Sequence, residues 1–218
     1  MALASVAAAR PLVVELFTSE GCASCPPADA YLRELAKRAD VLALSFHVDY
    51  WDNPGWKDTL GQHAFTTRQQ AYNAMMKLRG VYTPQMVIDG AGEGVGSRRA
   101  EIAAKIAARE ASLRTVPMDV THTGDTLKLK IAAGEKPASP ATIWLLRYVK
   151  TEPVAIRRGE NAGKTITYVN VVHDMRPIGL WDGREMEVPL PKLAHGHYTA
   201  LLQTGRTGAM LGATRIER

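Results

Sequence analysis

Two largely apolar runs constrain this chain more than anything else in it. Pro11-Leu-Val-Val-Glu-Leu-Phe17 and Val41-Leu-Ala-Leu-Ser-Phe-His-Val48 do not alternate polar with apolar residues. Each therefore reads as a short strand covered on both faces. Between them, Ala28, Leu32, Leu35 and Ala36 fall on one face at helical spacing. Pro26 and Pro27 sit where the first turn of a helix tolerates proline, so the spacing predicts a helix from about Ala23. Strand, helix, strand in that order pairs the strands in parallel.

The pattern continues with a helix over about Gln62 to Leu78 and a strand at Met86-Val87-Ile88. A brief strand near Val95 follows, then a helix capped by Ser97 and running to about Leu113. The last two strands are close enough to form a hairpin. From Thr115 the texture changes. Short segments (116–121, 126–132, 142–148, 165–172, 185–190 and 197–204) are punctuated by Gly, Pro, Asp and Asn, the pattern of an antiparallel sandwich. The expected architecture is an α/β unit over 11–114, a mixed central sheet flanked by helices, followed by a β-rich unit over 115–218. Residues 1–10 read as the tail of an exported leader or a frayed terminus.

Composition narrows the function. Hydrophobic residues make up 46% and charged residues 22% of the 218, a globular balance that argues against global disorder. No stretch reaches the roughly 18–20 apolar residues of a membrane span. The net charge of +5 is scattered and only 6% of residues are aromatic, which argues against a nucleic-acid partner and a base-stacking platform. No phosphate loop, dinucleotide fingerprint or serine elbow occurs, and no cofactor is called for. Oligomeric state is not encoded in any of these features.

The two cysteines form one motif, Cys22-Ala23-Ser24-Cys25, after a strand and at the start of a helix. A thiol facing the positive end of a helix is stabilised as thiolate, the form that attacks disulfides. Cys25, one turn on, can close a ring with Cys22. The expected cycle is attack by an accessible Cys22 and resolution by a more buried Cys25. A structural bridge and a thiolate metal site are the alternatives. A four-residue disulfide loop stabilises little, and zinc usually needs a second ligand pair. The second motif, Val81-Tyr82-Thr83-Pro84-Gln85, precedes a buried strand. A cis proline at Pro84 would present the Thr83 backbone to an extended partner.

Leu16-Phe-Thr-Ser-Glu-Gly-Cys-Ala-Ser-Cys25 resembles the active-site strand, loop and helix start of thioredoxin-fold proteins, glutaredoxins especially. Thr83-Pro-Gln-Met-Val-Ile-Asp-Gly90 resembles their cis-proline loop and following strand. The resemblance covers about residues 11–113. It implies that Cys22 is the nucleophile, Cys25 the resolving thiol, Pro84 the cis-proline, and a protein or small-molecule thiol or disulfide the partner. It also implies that Glu15, in the strand where thioredoxins carry a buried acid, relays a proton to the resolving thiol. The sequence departs from that pattern in the Ala-Ser pair between the cysteines, in the long segment after Trp51, and in the whole C-terminal region. The entire chain also resembles a bacterial family of unknown function, often described as secreted or thioredoxin-like. That likeness rests on Glu15 through Asp29, on His47-Val-Asp-Tyr-Trp-Asp52 and on Gly55-Trp-Lys-Asp58.

His47 to Asp52 leave the second strand at the end where α/β sheets bind ligands. Tyr50 and Trp51 are therefore candidate walls for a partner, with plain packing as the alternative. His195 and His197 read as surface residues.

The favoured function is thiol–disulfide exchange in a periplasmic or secreted setting, where a disulfide persists; a cytoplasmic setting is the alternative. The rival functions are copper or zinc delivery through the same cysteines and a binding module that has lost turnover.

Overall fold

The computed structural model describes residues 10–52, 55–123 and 126–217. The leader-like stretch before Arg10 lies outside them. The first apolar run forms β1 (Leu12–Thr18) and the second forms β2 (Val41–His47), paired in parallel from Leu12–Val41 to Thr18–His47. Every residue of both strands is buried. On β1, Leu12, Val14 and Leu16 pack against Leu32 and Leu35 of α1 (Pro26–Leu35) and Ile102 and Ile106 of α3 (Arg99–Glu110). Val13 and Phe17 face the other way, against Phe65 and Tyr72 of α2 (His63–Met75). A strand sandwiched between helices has no wet face, which is why its sequence does not alternate. On β1's other side lie β3 (Gln85–Ile88) and then β4 (Gly92–Val95), both antiparallel, and the expected hairpin is present.

The sheet does not stop at residue 114. β8 (Thr165–Trp181) joins β2 in parallel at Ser45–Val171, and then come β7 (Ala141–Ala155), β10 (His197–Thr204) and β11 (Met210–Ile216). The result is one eight-stranded mixed sheet, ordered β11-β10-β7-β8-β2-β1-β3-β4. A second sheet of three antiparallel strands, β5 (Met118–Thr123), β6 (Thr126–Ile131) and β9 (Met186–Pro189), is ordered β5-β6-β9. It packs Leu129, Ile131 and Val188 onto Ile143, Leu145 and Leu202 of the large sheet. The C-terminal region is thus sandwich-like, but one of its layers is the continuation of the N-terminal sheet.

The segment expected at 142–148 extends to Ala155 and the one at 165–172 extends to Trp181. They form a long hairpin whose tip, residues 156–164, reaches back to the cysteine loop. Pro153 and Pro177, with the charged residues around them, obscure these extensions in sequence. No helix among the described residues is long and apolar enough to cross a membrane.

Candidate functional site

Cys22 and Cys25 are joined by a disulfide, with their Cα atoms 5.4 Å apart. The helix begins at Pro26, not near Ala23, so Cys25 is the residue at its N-terminal cap. Pro26 and Pro27 remove the first two N–H groups of the helix. The helix end therefore offers fewer donors to a thiolate than expected. A different donor lies close by, because Ser24 Oγ is 3.4 Å from Cys22 Sγ.

Both cysteines are fully buried, which corrects the expectation of an accessible Cys22 beside a more buried Cys25. The burial is shallow, since Ala23 and Ser24 between them are exposed. The cover comes in part from the β7–β8 hairpin tip. Asn161, itself fully buried, donates through Nδ2 to the carbonyls of Glu20 (3.0 Å) and Cys22 (2.9 Å). Glu160 Oε2 accepts the Ala23 N–H at 3.2 Å. From the other side, a Cβ on Gly21 would come within 3.1 Å of the Trp51 carbonyl, so glycine lets the cysteine loop approach the β2–α2 segment closely.

The Thr83–Pro84 bond is cis. Ser24 Oγ donates to the Thr83 carbonyl at 3.5 Å, and Trp51 Nε1 donates to Thr83 Oγ1 at 2.7 Å. The fold thus gathers Cys22, Cys25, Thr83, Pro84 and Trp51 in one place. Tyr50 stands beside Trp51 with its hydroxyl donating to Gln69, and burial pushes that phenol up to about 12.

Glu15 is not part of this group. It points to the α2 side of β1, where Arg68 donates to both carboxylate oxygens at 2.7 and 3.2 Å. Tyr72 and Gln203 complete that buried cluster. The expected proton relay from Glu15 gives way to an ion pair committed elsewhere, because strand alternation turns Glu15 to the same side as Val13 and Phe17.

Another carboxyl lies nearer the cysteines. Asp29 is one helical turn beyond Cys25, and its N–H donates to the Cys25 carbonyl. The side chain is buried. Oδ1 accepts from Thr18 Oγ1 at 2.8 Å, while Oδ2 has no partner among the described residues. Burial pushes this carboxyl up to about 7, against the opposing pull of His47 and the Thr18 hydroxyl.

Behind it lies a polar cluster of Glu20, His47 and Asp58. His47 Nδ1 is 3.1 Å from Asp58 Oδ2. Burial disfavours the charged imidazole, but the hydrogen bond and charge of Asp58, with Asp29 and Glu20, raise it overall. Burial likewise opposes the Asp58 charge, yet His47 and the N–H groups of Glu20 and Leu60 bring it down to about 2. Burial and the Asp58 charge raise Glu20.

Glu20, His47 and Asp58 form the one group of metal-ligand type among the described residues, and it contains neither cysteine. Its carboxylates are already engaged. Glu20 accepts from Trp56 Nε1 and from the Thr59 N–H and hydroxyl, and Asp58 from two backbone N–H groups. A cation there would share these oxygens with the hydrogen bonds they already accept. His47 Nε2 and the Tyr168 hydroxyl, on rings 4.4 Å apart at their centroids, have no hydrogen-bond partner among the described residues.

Asp29, Asp58 and Glu20 lie within the sequence motifs described above, but no spacing or pattern there marks a role for them. Asn161 carried no signal, lying 139 residues from the cysteine it touches.

The model of a family described as a protein of unknown function, DUF1223, matches residues 13–203. The chain belongs to the DUF1223 family. An Agrobacterium tumefaciens protein solved by X-ray crystallography is similar over 95% of this chain and 94% of its own, at 36% identity and a TM-score of 0.82. HBP35 of Porphyromonas gingivalis shares the fold at 13% identity and a TM-score of 0.62, over 95% of this chain and 75% of its own. Among curated proteins none matches the sequence.

Proposed function

We propose that this DUF1223 protein is a thiol–disulfide oxidoreductase. Its redox couple is Cys22–Cys25, carried by a thioredoxin-like N-terminal unit that works in an oxidising compartment outside the cytoplasm. The observation that carries the reading is a shallow disulfide one helical turn from a buried carboxyl that titrates near neutrality. A purely structural bridge has no use for a proton-holding neighbour. The strand order β2-β1-β3-β4 with its parallel and antiparallel pairings supports the thioredoxin-like assignment, as does the placement of Thr83–Pro84 beside Ser24.

The chemistry balances as follows. A partner thiolate attacks Cys22 Sγ and forms a mixed disulfide. The Cys22–Cys25 bond breaks, its electron pair leaves with Cys25 Sγ, and Asp29 supplies the proton that makes Cys25 a thiol. A second partner thiolate then attacks the partner's own sulfur in the mixed disulfide and releases Cys22 as thiolate. The partner is oxidised by two electrons and the protein is reduced; the reverse order reduces a partner disulfide. Ser24 donates to the Cys22 thiolate, and Thr83 and Trp51 line the approach.

Turnover of a model protein disulfide with dithiothreitol as reductant tests the proposal. Activity should vanish in Cys22→Ser, and Cys25→Ser should trap a mixed disulfide. Equal turnover by wild type and Cys22→Ser would refute it.

A further inference from the structure

A groove of about 710 Å³ opens at the far end of α1 from the disulfide. Its origin is the seam between the two halves of the sheet. β2 and β8 share a single register pair, Ser45–Val171, and diverge from it. Next to that pair Asn170 takes a left-handed conformation (φ 46°) and ties its side chain to the Ala43 carbonyl.

The lining is strongly cationic. Arg33 comes from the last turn of α1, Lys37 from just beyond it, Lys150 from β7 and Arg215 from β11, against one carboxylate, Glu217. Among the described residues none of the four cations is in an ion pair. The two guanidinium groups are instead fixed by backbone carbonyls. Arg33 donates to Thr167 (3.1 Å), and Arg215 donates to Ala39 (3.2 Å) and Val41 (2.8 Å). Carbonyls orient a guanidinium without neutralising it, and each group keeps further N–H donors. Two pre-oriented forks and two flexible ammonium groups around one concavity suit a ligand with several negative oxygens.

We propose that this groove binds a small multivalent oxyanion, a molecule carrying two or more phosphate or carboxylate groups. The site stands apart from the redox reading, since the 10-residue helix α1 puts about 15 Å between its two ends. Affinity falls as salt rises, because the cations are exposed and screened.

Isothermal titration of the full chain at low ionic strength tests this, with pyrophosphate and citrate as probes and inorganic phosphate as the single-group reference. Pyrophosphate or citrate should bind at least about tenfold more tightly than inorganic phosphate, and which of the two wins distinguishes a phosphate from a carboxylate ligand. Lys37→Gln with Lys150→Gln should weaken that binding at least about tenfold. Lys136→Gln with Lys192→Gln removes the same charge from exposed positions outside the groove and should change it little. Equal weakening in the two double variants would reduce the effect to net charge and overturn the proposal. So would an absence of binding by both probes in a wild-type protein that melts cooperatively.

Discussion

Asp29 keeps its proton to a higher pH than an ordinary carboxyl because it is buried, with one oxygen unpaired among the described residues. Replacing it with Asn keeps the shape and the acceptor for Thr18 but removes the titration. Asp29→Asn should slow exchange about a hundredfold, with the inflection near pH 7 lost from the pH–rate profile. The stability effect has a definite sign. The carboxyl is raised above its ordinary 3.8 to about 7, so its contribution is complete below the ordinary value and is lost as pH rises through 7. Asp29→Asn should flatten this fall in denaturant titrations between about pH 4 and 8, by an amount on the order of 4 kcal/mol. Glu20, also raised, still contributes in this window, and so does His47. The His47 contribution has the same sign, because His47 is also raised and loses its stabilisation as pH climbs past its folded value. Glu15 makes the opposite case. Glu15→Gln leaves the buried Arg68 charge uncompensated and should cost about 3–5 kcal/mol of stability, with the exchange rate of the folded protein unchanged. A loss of rate without loss of stability would restore Glu15 to the chemistry. The sequence pointed to a buried acid on β1 and named one, but only strand alternation in three dimensions shows which side that acid faces.

The elements that build the site come from distant parts of the chain, and they differ in how legible they are. The strand, the cysteine loop and the proline-led helix form one local unit, read almost completely from spacing; only the helix start moved, from Ala23 to Pro26. The β7–β8 hairpin is longer than its sequence pattern predicts, and nothing in the pattern ties its tip to the site. Long-range contact of this kind leaves no periodicity behind. Asn161 nonetheless makes two hydrogen bonds to the cysteine loop from a fully buried position. Asn161→Ala should loosen that cover by about 1–2 kcal/mol and speed reduction of the disulfide by tris(2-carboxyethyl)phosphine about tenfold. Quenched samples analysed by mass spectrometry measure this, and an unchanged rate would show that the hairpin tip does not control access. β11 was missed because Gly212 interrupts Met210–Ile216, and a Cβ there would strike Met118 of the second sheet.

At the scale of the whole molecule, the textural change near residue 114 marks a change in secondary structure, while the central sheet runs through it. Phe17, Phe46 and Phe65 share a core with Trp144, Leu146 and Leu201. A fragment ending at residue 114 would expose that face to water, and we expect it to bind a hydrophobic dye and lack near-ultraviolet circular dichroism; a cooperatively folded fragment would show that the first unit is autonomous. The two proposals place a redox couple at the start of α1 and an anion groove at its end. The central claim is that the cysteine pair cycles. Equilibrating the intact protein in a graded series of reduced and oxidised glutathione and counting free thiols after acid quench measures that directly. The account predicts a reversible two-electron transition within the range those buffers span; a pair that stays fully oxidised in the most reducing buffer would contradict it and leave Cys22–Cys25 a structural bridge.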